Sequence, residues 1–114
     1  MVVHKKDQRV ETRSKMRDGK GDITLVHRAP REVFHHEKML AELTLPPGAS
    51  IGLHGHTGET EYYIIRSGQG LVDDNGAKVT VKRGDCVITG NGSTHSIENS
   101  GDAPLVLEAI IVGY

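Results

Sequence analysis

Apolar and polar residues alternate in short stretches along most of this chain, and turn-forming residues separate the stretches. In an extended strand, side chains two apart share a face. Met39, Ala41, Leu43 and Leu45 therefore fall on one face, with Glu42 and Thr44 on the other. Pro46, Pro47 and Gly48 end that strand. Residues 23–27, 50–56 and 61–66 predict further strands. Residues 71–81 predict a hairpin turning at Asp74, Asn75 and Gly76, since Asn-Gly accepts the positive φ angles of a tight turn. Beyond it Ala77, Val79 and Val81 are expected on a dry face and Lys78, Thr80 and Lys82 on a wet one. Residues 86–89 predict a short apolar strand and residues 90–93 a turn. The next strand begins at His95. Residues 104–112 form a near-continuous apolar run suited to a buried closing strand. Residues 31–38 leave a strand or a helical turn starting at Pro30 open. Many short strands at close spacing predict an all-β sandwich or barrel.

A length of 114 residues suits one domain. The first 22 residues are polar and are expected as a partly ordered arm, ahead of a barrel over residues 23–114. Aromatic residues make up only 4% of the chain and Trp is absent, which argues against a large helical core. The 14 Lys and Arg nearly cancel the 15 Asp and Glu, so the basic excess of a nucleic-acid binder is missing. No apolar run approaches the ~18 residues of a membrane-spanning helix, and the charged N-terminus does not read as a signal peptide. Cys86 stands alone, which rules out a disulfide within the chain and fits a reducing compartment. A cytoplasmic location is expected.

Seven histidines change the picture. His54 and His56 are two apart, so in a strand both rings face the same way. Glu61 shares a strand face with Tyr63 and Ile65, where an unpaired carboxylate would be costly unless a cation met it. His95 opens a later strand that can lie across a barrel from His54. Three imidazoles and a carboxylate suit Mn, Fe, Co, Ni or Zn and leave positions on the ion open. Without a thiolate, a closed structural zinc site is disfavoured. A lone His-x-His pair is commonplace, and His4, His27, His35 and His36 read as ordinary surface residues. Glu59 stands near these residues and matches Glu61 in parity, so it could serve as an alternative ligand or a proton carrier, but it is expected in a solvent-exposed loop. Tyr63 reads as a half-buried strand tyrosine, and Cys86 as a small buried hydrophobe.

The wider pattern lifts His54 and His56 above the commonplace. Gly48, His54, His56, Glu61 and Gly68 stand at the fixed positions of the first cupin motif, which this segment resembles. Gly84, Gly90, Gly92, His95 and Asn99 resemble the second, with Gly90 where the family usually has proline. This resemblance implies a jelly-roll β-barrel (a double-stranded β-helix), often dimeric. It also implies one divalent metal held by His54, His56, Glu61 and His95.

An open metal position can bind a small oxygen-rich ligand such as an organic acid or sugar derivative, and can polarise a carbonyl or activate water. The resemblance admits isomerases, dioxygenases and decarboxylases without choosing. A non-catalytic sensing module using the same pocket is the alternative. A purely structural barrel is a third reading, but it leaves an inward Glu61 unexplained. A homodimer is expected, with no nucleic-acid or membrane partner.

Overall fold

The structure, a computed structural model, describes residues 1–114 as ten antiparallel strands in two facing sheets. The strands are β1 (Arg9–Ser14), β2 (Asp22–His27), β3 (Glu37–Leu45), β4 (Ser50–Gly55) and β5 (Glu59–Ser67). They continue with β6 (Gln69–Asp74), β7 (Ala77–Lys82), β8 (Cys86–Gly90), β9 (Thr94–Asn99) and β10 (Leu105–Gly113). One sheet has the order β1-β2-β3-β10-β5-β8 and the other β4-β9-β6-β7. The expected all-β jelly-roll barrel is what the chain forms. No helix is long and apolar enough to cross a membrane.

The alternation read from the sequence explains the core. Ala41, Leu43 and Leu45 of β3 face inward and are fully buried, as are Ile23 and Leu25 of β2. Leu105, Leu107 and Ala109 of β10 meet them, because β10 lies between β3 and β5 and pairs with both. From the smaller sheet Ile51, Val72 and Ile97 close the interior. Asn99 staples one end of the barrel. Its buried amide donates to the carbonyls of Leu45 and Ala103, each at 2.8 Å, and its side-chain oxygen accepts from Gly101 N–H.

Several local expectations change. Pro30 precedes one turn of 3-10 helix at Arg31–Val33, and Glu37 and Lys38 already belong to β3. The 74–77 hairpin forms as read, with φ of 48° at Asn75 and 100° at Gly76. The dry face assigned to β7 does not form. Ala77 and Val79 are exposed and only Val81 enters the core, β7 being the edge strand of the smaller sheet. Cys86 is exposed, because Val87 and Thr89 take the inward positions of β8 and leave Cys86 and Ile88 outward.

Strand β4 carries an irregularity that the alternation does not signal. Ile51 and His54 both face inward although they are three apart, which a regular strand forbids. The register against β9 shifts between them, and the extra residue is absorbed there. Gly52 sits in this shift with the turn between β1 and β2 pressed onto it. A Cβ at residue 52 would lie 1.9 Å from the Arg17 carbonyl oxygen. That turn holds Lys15, Arg17 and Asp18 at positive φ, and none of them is glycine.

Candidate metal centre

Four donor residues from different elements meet inside the barrel. His54 comes from β4, His56 follows directly after it, His95 comes from β9, and Glu61 comes from β5 of the opposite sheet. One donor atom from each lies within 4.8 Å of all the others. Glu61 Oε1 is 2.8 Å from His56 Nε2, 3.0 Å from His95 Nε2 and 3.7 Å from His54 Nε2. His95 Nε2 is 3.0 Å from that of His54 and 3.1 Å from that of His56. His56, Glu61 and His95 are buried, and His54 is half-buried.

The second nitrogen of each ring is already engaged. His54 Nδ1 donates to the Gly52 carbonyl at 2.7 Å, and His56 Nδ1 donates to Glu59 Oε2 at 2.6 Å. A carbonyl and a carboxylate can only accept, so in a neutral ring Nδ1 carries the proton and Nε2 the lone pair. His95 Nδ1 lies 2.9 Å from the buried Thr89 hydroxyl. The His95 ring also stacks on Tyr63, with centroids 4.7 Å apart and planes 12° from parallel. All three Nε2 atoms are thus aimed at one point by fixed partners, as outer-shell hydrogen bonds aim metal-binding imidazoles.

The electrostatics ask for a cation. Glu61 Oε1 is buried and has no hydrogen-bond partner. Burial pushes the Glu61 carboxyl up; protonated imidazoles at His54 and His95 would hold it down, to about 2, and neutral rings leave that role to another cation. Burial lowers His95, which favours the neutral ring a metal needs. The Tyr63 hydroxyl is pushed up by burial and by Glu61 beside it. Lys38 and then His56 hold the Glu59 carboxyl below its usual range. The neutral-ring lone pairs of His54 and His56 and the buried Glu61 carboxylate repel one another unless positive charge sits among them, so with His95 this donor set fits a divalent metal.

All four of these side chains are metal-ligand candidates from the sequence, whereas two of their partners take roles it does not assign. Glu59, expected in a solvent-exposed loop, is the first residue of β5 and is turned onto His56. Its parity with Glu61 was the available signal. Thr89 was not singled out. It faces Glu61 directly across the β5–β8 pairing, a relation that only the strand register reveals. The large open cavity of the molecule lies elsewhere. About 600 Å³ in volume, it sits between the N-terminal residues and the segment around Phe34 and Met39, and touches none of the four donors.

Comparison with known proteins agrees with this geometry. The cupin domain family matches residues 41–112. A Thermotoga maritima protein described as an oxalate-binding protein is 42% identical over 113 residues, covering 98% of this chain and 93% of that one. A crystal structure of a predicted oxalate decarboxylase from Thermotoga maritima superposes with a TM-score of 0.94 at 42% identity and full coverage of both chains. An RmlC-like cupin from Shewanella frigidimarina has a TM-score of 0.78 at 14% identity, covering 99% of this chain and 90% of that one, a likeness of fold alone. With both histidine-bearing motifs inside the matched segment and the barrel they require around them, this chain belongs to the cupin family.

Proposed function

We propose that this protein binds a small organic acid of the oxalate type at one divalent transition metal held by His54, His56, Glu61 and His95. The observation that carries the reading is the convergence of three aimed Nε2 atoms on a buried, unpartnered Glu61 oxygen. The relative described as oxalate-binding supports the choice of ligand. Nitrogens ~2.1 Å from a common ion are ~3.0 Å apart at a right angle and ~3.4 Å apart at the tetrahedral angle. The observed nitrogen separations of 3.0 and 3.1 Å lie near the first value, while Glu61 Oε1 and His54 Nε2, 3.7 Å apart, lie beyond the second. An octahedral ion with four protein donors leaves two positions, which suits a ligand biting through two carboxylate oxygens. The donor set itself suits Mn, Fe, Co, Ni or Zn.

The bound metal supplies a Lewis acid for those oxygens. The chain itself orients the ion and excludes water from its inner side. The buried Tyr63 also stands against Glu61, and its ring stacks on His95. The relative described as oxalate-binding favours capture of the acid over its conversion. Calorimetry with the Mn-, Co- or Ni-loaded protein should show oxalate binding that disappears after chelation and in His95→Ala. Oxalate binding indifferent to metal would sink the reading, and release of carbon dioxide or formate would make the protein an enzyme.

A homodimer through the larger sheet is part of the proposal. Leu40, Ile110, Tyr62 and Ile88 form an apolar row across four strands on its outer face. Glu42 and Glu108 stand opposite each other beside that row, and such like-charged neighbours repel. Arg28 reaches both carboxylates, and Arg66 Nη1 meets Glu42 at 2.7 Å. A face so apolar, with its charges internally matched, suits a self-complementary contact. Sedimentation should give a dimer that Ile110→Glu dissociates; a wild-type monomer at micromolar concentration would count against it. We also place the protein in the cytoplasm, where the exposed Cys86 stays reduced; a cell fractionation tests this.

A further inference from the structure

We propose that Glu59, tethered by Lys38, is a positioning residue that sets how strongly His56 binds the metal; this rests on the four-donor metal reading above. The three ring partners are not equivalent. Gly52 offers a neutral carbonyl and Thr89 a neutral hydroxyl, whereas Glu59 offers a carboxylate at the shortest of the three distances, 2.6 Å. A carboxylate accepting from Nδ1–H raises the basicity of the opposite nitrogen as well as fixing the ring plane. His56 therefore becomes the strongest nitrogen donor of the set.

Both oxygens of Glu59 are committed. Oε2 meets His56, and Oε1 meets the Lys38 ammonium at 2.8 Å. Lys38 lies near the start of β3, so the tether joins the rim of the larger sheet to a ring that follows β4 of the smaller one. His56 is 1% exposed and its backbone is clamped as well. Its N–H donates to the Ser93 carbonyl and its own carbonyl accepts from Gly92 N–H. The ring thus has a fixed base and a charged partner, and Lys38 keeps that partner from swinging into solvent.

The test is Co²⁺ affinity, by competition with a chromophoric chelator, together with the visible absorption of the bound Co²⁺. Glu59→Gln keeps an acceptor for Nδ1–H but removes the charge. It should weaken Co²⁺ binding by about tenfold and shift the absorption bands, with Glu59→Ala approaching about 100-fold. Lys38→Met should weaken binding by less than Glu59→Gln, and should add nothing in the Glu59→Gln background. Wild-type affinity and an unchanged spectrum in Glu59→Gln would overturn the proposal. An equal Lys38→Met effect in both backgrounds would overturn the tether. The melting temperature of each metal-free variant shows whether a loss is merely structural: Glu59→Gln should melt near wild type. His56→Ala separates the two readings. If it binds Co²⁺ as wild type does, the metal assignment fails, whatever Glu59 does.

Discussion

Adding metal should raise the melting temperature of this protein by an amount its size and site allow to be worked out. The four donors converge only in the folded barrel, since His54 and His95 are 41 residues apart in the chain. A metal therefore stabilises the folded state alone, and at 100 times its dissociation constant the gain is about 2.7 kcal/mol. An unfolding entropy of about 2.1 cal/mol/K per residue over 114 residues means each kcal/mol moves the midpoint by roughly 4 °C. The expected rise is thus about 11 °C. His56→Ala removes one donor and leaves a buried hole, so it should melt below wild type when metal-free and lose most of the metal-dependent rise. Scanning calorimetry at matched free Mn²⁺ or Co²⁺, with a chelator-treated control, reads both effects. A wild-type midpoint indifferent to every divalent ion tried, or an equal rise in His56→Ala, would refute the reasoning.

Two further outcomes follow from features outside the donor set. Asn99→Ala strands the Leu45 and Ala103 carbonyls and the Gly101 N–H, and should cost about 2–4 kcal/mol in urea denaturation while leaving Co²⁺ affinity unchanged in the folded protein. Glu11 is held at about 2, against 4.5 for an ordinary carboxyl, by Arg13 and then His27. Because the folded-state value is depressed, its contribution is present above about pH 4.5 and is lost as pH falls toward 2. Glu11→Gln should accordingly flatten the acid limb of the stability curve across that window, which urea midpoints measured from pH 6 to pH 2 would reveal.

The fold class was legible because one rule, alternation, governs both burial and sheet formation. It put Ala41, Leu43 and Leu45 inward, and it put Glu61 beside Tyr63 and Ile65. It failed where register rather than parity decides. The shift between Ile51 and His54 breaks the two-residue period, and nothing local except Gly52 hints at it. Parity within residues 86–89 allowed either face, and inward Val87 and Thr89 sent Cys86 to the surface. Position in the sheet also mattered: Val79 alternates correctly, yet sits on an edge strand and stays 44% exposed. Within the site the four converging side chains were legible from type and spacing, whereas Thr89 is set opposite Glu61 by the pairing of β5 with β8, where its hydroxyl meets His95. Strand β1 was hidden because its sequence is almost wholly polar, with Val10 its one apolar residue, itself outward and exposed.

The place proposed for the ion, between the sheets, has a kinetic consequence. Glu61 belongs to one sheet and His54 and His95 to the other, so a bound cation would act as a rivet through both layers. A rivet cannot be set before the plates are aligned, and this alignment requires pairings between residues far apart in the chain. The cation should therefore leave the speed of refolding almost untouched and act on the reverse step, slowing the parting of the layers.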